Sequence, residues 1–64
     1  MFVSVQHKIT GWVETYPDAE KLEVTETMIN ISKGEAYLYK ATNNGAIYSV
    51  SYSRKYWQIL DKEG

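Results

Sequence analysis

VTETMINISKGEAYLYKATNNGAIYSVSYS, residues 24–53, is the stretch on which the fold turns. It holds two glycine-based two-residue turn candidates, Lys33-Gly34 and Asn44-Gly45. Asn-Gly is a strong hairpin signal, because the favoured tight turn needs positive φ at both central positions. The two turns frame three β-prone segments, Val24–Ser32, Glu35–Asn43 and Ala46–Ser53. They predict a three-stranded antiparallel meander.

Two-residue loops fix register by position alone. The first places Ile31 opposite Ala36 and Ile29 opposite Leu38. The second places Thr42 opposite Ile47, Tyr39 opposite Val50 and Tyr37 opposite Tyr52. Directly opposed residues share a face. One face then carries Val24, Met28, Tyr37, Tyr39, Ala41, Tyr48, Val50 and Tyr52, and is the better core candidate. The other carries Ile29, Ile31 and Leu38 among Ser49, Ser51 and Ser53, an apolar island on a wetter surface. That island predicts a cover, either the N-terminal segment or another subunit.

Outward from this stretch, Phe2–Ile9 alternates with period two, Val3, Val5 and Ile9 against Ser4, Gln6 and Lys8, and reads as a strand. Gly11 interrupts it as a bend, and Trp12–Thr15 continues as a bent strand. Pro17 followed by Asp18 and Glu20 suits a short helical or irregular acidic connection. After Ser53 the pattern favours continuation of the third strand to about Leu60, which would put Tyr56 on the core face and Trp57 with Ile59 on the other. The fold class is therefore mainly β, in one small domain spanning 1–64.

Length and composition narrow the function. At 64 residues and 7.4 kDa, the chain buries little more than about 60 % of its unfolded surface. It has no cysteine for a disulfide or thiolate zinc site. Large aromatic rings are the remaining means of burying area with few rotors: two tryptophans, six tyrosines and a phenylalanine. Oligomerisation is the other route, and a homo-oligomer is expected. One histidine, His7, excludes a histidine metal cluster within the chain. No run approaches the roughly 18 apolar residues of a membrane span, and the N-terminus lacks a signal-peptide core, so a cytoplasmic location is expected.

No catalytic pattern survives. His7 shares its side with Val3 and Val5, which suits a structural histidine better than a general base. The four glycines are isolated and form no phosphate-cradling loop. A non-enzymatic role with no cofactor and no metal is the expectation.

Charge is unevenly placed. Residues 14–26 hold Glu14, Asp18, Glu20, Glu23 and Glu26 against Lys21. Tyr52-Ser53-Arg54-Lys55-Tyr56-Trp57 is a basic-aromatic cluster of the residue types enriched at protein interfaces. The candidate partner-binding residues are Arg54, Lys55, Trp57, Glu20, Glu23 and Glu26. The leading functional expectation is a protein-binding module. The alternative is single-stranded nucleic-acid binding, with rings stacking on bases beside cations. A net charge of −1 stands against that alternative. In size and composition the chain is similar to the small accessory proteins of bacteriophages and mobile elements, and that likeness implies an accessory protein or inhibitor that acts by binding another protein.

Overall fold

The computed structural model describes residues 1–34 and 47–64. Within them lie six strands: β1 (Phe2–His7), β2 (Val13–Tyr16), β3 (Lys21–Val24), β4 (Met28–Lys33), β5 (Tyr48–Ser53) and β6 (Trp57–Glu63). They form two three-stranded antiparallel sheets, ordered β2-β1-β6 and β3-β4-β5. The protein is mainly β, with no helix among the described residues.

The expected strand at Glu35–Asn43 and the turn at Asn44-Gly45 lie outside the described residues. The pairing expected of their neighbours is corrected. Ile29 pairs with Val24 on one side and Tyr52 on the other, and Ile31 with Leu22 and Val50. Both edges of β4 are thus occupied by β3 and β5. The faces sort differently as a result. Ile29 and Ile31 point the same way as Val50 and Tyr52, where the meander register had set them apart. Gly34, at the end of β4, does adopt a left-handed conformation with φ +68°.

The core is where the two sheets meet. Val3 and Val5 of β1, Ile29 and Ile31 of β4, and Ala19 are essentially fully buried. Tyr16, Leu22, Tyr48, Val50, Tyr52, Trp57 and Ile59 pack around them. The apolar island at Ile29 and Ile31 is therefore covered by the N-terminal strand, one of the two covers expected. The outer face of the second sheet is polar, with Lys21, Glu23, Asn30, Ser32, Ser49 and Ser51 side by side. This alternation of inward apolar and outward polar residues is what two sheets packed face to face require. Two tyrosines complete the join. The hydroxyls of Tyr16 on β2 and Tyr52 on β5 share a hydrogen bond, which satisfies polar tips that burial would otherwise strand.

Turns among the described residues set the path of the chain. Between β1 and β2, Gly11 takes φ +80° with open space around its α-carbon, so only its backbone conformation demands glycine there. The acidic connection is not helical: it turns at Pro17-Asp18 and enters β3 at Lys21. After β5 the chain does not run straight on. The Ser53 hydroxyl accepts the amide of Lys55 at 3.2 Å, and the Ser53 carbonyl accepts that of Tyr56 at 3.1 Å. That hydroxyl–backbone turn redirects the chain into β6, which pairs with β1. The turn also resets the alternation. Tyr56 is exposed, against the expectation that it sits on the core face, while Trp57 and Ile59 pack against the cluster that holds Ile29 and Ile31, with which the sequence had grouped them.

Candidate functional site

The β1–β2, β3–β4 and β5–β6 turns converge at one end of the molecule, and Arg54 joins them. Its amide donates to the Thr27 carbonyl at 2.8 Å. One guanidinium nitrogen donates to the carbonyl of Thr25 at 2.6 Å and, more weakly, to that of Glu26 at 3.4 Å. Its own carbonyl accepts the Lys8 ammonium at 2.8 Å. The Thr25 hydroxyl accepts the amide of Met28 at 3.0 Å, holding the β3–β4 turn that Arg54 clasps.

Beneath this clasp runs an open groove of about 770 Å³ between the edge of β6 and the β3–β4 turn. Its floor is apolar, with Val24, Ile29, Trp57 and Ile59, and its rim carries Lys8, Arg54, Lys55 and Glu26. Trp57 is held by an edge-on contact with His7, ring centroids 5.0 Å apart, and by Tyr52 at 4.6 Å. The Lys55 ammonium lies 5.5 Å from the centre of the Tyr56 ring, which in turn stacks on His7.

His7 has a structural task. Its Nδ1 accepts the amides of Ile9 at 3.2 Å and Thr10 at 3.1 Å, so the imidazole organises the β1–β2 turn. That hydrogen bonding fixes a tautomer with the proton on the other nitrogen.

Of the candidate residues, Arg54, Lys55, Trp57 and Glu26 come together around the groove. Glu20 and Glu23 do not line it. Glu20 accepts the amide of Gly34 at 2.7 Å, beside β4, and Glu23 accepts the side-chain amide of Asn30 at 3.4 Å on the polar outer face. The rest of the acidic segment is similarly dispersed. Asp18 pairs with Lys33 at 2.8 Å and accepts the Tyr48 hydroxyl at 3.1 Å. The Lys33 ammonium, followed by the Tyr48 hydroxyl, holds the Asp18 carboxyl below the usual carboxylate range. The indole N–H of Trp12 donates to Glu14.

Lys8, Val24 and Gln58 also line the groove and were not among the candidate site residues. Lys8 reaches Arg54 across 46 positions of sequence, a contact made only because β6 pairs with β1. Among the described residues no group of three or more histidine, cysteine, aspartate or glutamate side chains could hold a metal ion. No helix there is long and apolar enough to cross a membrane.

Among the described residues, fold and groove together define a small antiparallel β-sandwich open along one seam. No family model, curated protein or solved structure matches the chain.

Proposed function

We propose that this protein is a non-enzymatic protein-binding module, and that its docking surface is the groove carrying Arg54, Lys55, Trp57 and Glu26. One observation carries the reading: an apolar floor sits beside β6, an outer strand among the described residues, and is rimmed by charged side chains. An apolar centre with a charged rim is the usual anatomy of a protein interface, where buried rings contribute affinity and rim charges select the partner. Trp57 is the natural anchor, because His7 and Tyr52 already restrict its ring and little rotamer freedom remains to be lost on binding.

Selection of a displayed random-peptide library on the intact protein, with counter-selection on Lys55→Glu, tests this. A recurring peptide class that the native protein retains and the variant releases supports the reading. Failure to enrich any class, together with salt-dependent quenching of tryptophan fluorescence by an oligothymidylate, overturns it in favour of single-stranded nucleic acid.

A further inference from the structure

We infer that the groove takes an extended acidic peptide, which adds to β6 as a further strand; the inference rests on the protein-binding reading and names the chemistry of the partner. Backbone geometry comes first. On β1 the His7 amide donates to Trp12 in β2's direction, and the next amide, that of Lys8, donates to the Tyr56 carbonyl in β6's direction. Bonded and non-bonded pairs alternate along an antiparallel ladder. With Lys8 and Tyr56 bonded, the pair Gln6 and Gln58 is bonded and the pairs at Trp57 and Ile59 are not. The N–H and C=O groups of Trp57 and Ile59 therefore point away from β1, to the side of the groove.

The facing edge is built alike. The Thr25 amide donates to the Met28 carbonyl, so by the same alternation Val24 and Leu22 of β3 turn their backbone groups away from β4. Among the described residues β3 and β6 are each the outer strand of their sheet. The groove is thus flanked by the edge of β6 and, at Val24, by that of β3, both presenting backbone donors and acceptors over a floor of apolar side chains. A strand matches that combination: it supplies a row of main-chain partners and sends alternate side chains down into the floor.

Charge selects the sign of the partner. The protein as a whole carries −1, yet among the described residues the groove is lined by Lys8, Arg54 and Lys55 against Glu26. Arg54 spends its guanidinium hydrogen bonds on neutral carbonyls, and the Lys8 ammonium does the same. Neither cation is neutralised by the contact it makes. Carboxylates on the incoming strand, at the end nearest the clasp, would meet this excess. A basic strand would be repelled.

The test uses two blocked octapeptides that alternate valine with threonine, one beginning with two aspartates and the other with two lysines. Each is titrated into the intact 15N-labelled protein. The acidic peptide is expected to shift the amides of Trp57, Ile59 and Val24 and to protect those of Trp57 and Ile59 from exchange. The lysine peptide should bind about tenfold more weakly at low salt, with the difference collapsing as salt screens it. Lys55→Glu should remove most of that preference. A chemically synthesised chain with an N-methyl group on Ile59 keeps every side chain and deletes one edge donor, and should lose about tenfold in affinity. Equal binding of the two peptides, no response at these edge amides, or indifference to the N-methyl group overturns the inference. The protein-binding reading would outlast each of those results if the displayed library still yields a peptide class sensitive to Lys55→Glu.

Discussion

Replacing Ile31 by alanine tests the sandwich register directly, because a continuous meander leaves this residue on the wetter face and the observed fold buries it completely. Ile31 is 0 % exposed, between Leu22 and Val50 within its sheet and among the residues that pack with Val3 and Val5. The substitution removes three buried carbons, about 2.4 kcal/mol at roughly 0.8 kcal/mol each. The cavity left behind raises the cost to about 3 kcal/mol or more, within the usual range of about 2–5 for such truncations. A domain of this length is stable by only about 3–10 kcal/mol, so the loss is a large fraction of the whole. In urea, with a slope near 1 kcal/mol per molar at this size, the midpoint should fall by about 3 M, or the variant should be unfolded at the outset. Fluorescence reports the transition through Trp57, since Trp12 is 63 % exposed and changes environment little. Ile9→Ala is the control: the same truncation at a site 77 % exposed should move stability by less than about 0.5 kcal/mol. If Ile31→Ala costs under about 1 kcal/mol, or Ile9→Ala costs as much, the two-sheet core is refuted.

Other outcomes follow from single contacts. Gly34→Ala should destabilise by about 1–2 kcal/mol, a loss visible as a Tm drop of several degrees: the position has φ +68° and an added β-carbon would meet Ile47 at 3.3 Å. Gly11→Ala meets no neighbour and should cost only the strain of its φ, about 1 kcal/mol by the same melt. Burial, then the hydrogen bond to Asp18, pushes the Tyr48 phenol up to about 12 from an ordinary 10. The unfolded chain thus releases this proton first, so the contribution is intact below pH 10 and lost as pH rises towards 12. Tyr48→Phe should flatten that part of the urea-midpoint profile, and an unchanged slope between pH 10 and 12 would contradict the assignment. Arg54→Met keeps much of the aliphatic stem but drops the bonds to the β3–β4 turn. It should cost about 1 kcal/mol in thermal melts and speed amide exchange at Met28, whereas an unaltered exchange rate there would deny Arg54 its clasping role.

Much of the architecture was legible because short-range rules govern it. Alternation in Phe2–His7, glycine with positive φ at 34 and the strand character of 48–53 are local properties of the chain. Two apolar faces on so short a sheet also implied a covering strand, and Val3 and Val5 supply it. The candidate site was legible only in part. Arg54, Lys55 and Trp57 are near neighbours in sequence, so their clustering needed no tertiary information. Glu26 joins them because Arg54 clasps the β3–β4 turn, while Glu20, just before β3, and Glu23, on it, lie in other surroundings.

What the sequence by itself determined is therefore the class of structure: β-branched and aromatic alternation, turn-forming glycines and the lack of any cysteine leave a small β domain held by rings and aliphatic side chains. Tertiary structure alone decided which strands are neighbours. Tight-turn chemistry favours pairing along the chain, but β4 gains more by placing Ile29 and Ile31 with Val50 and Tyr52 under β1, because that arrangement buries both isoleucines completely. The same long-range choice turned Trp57 inward, exposed Tyr56 and opened the groove beside β6, none of which a period-two pattern can specify, since the hydroxyl turn at Ser53 shifts the phase between β5 and β6.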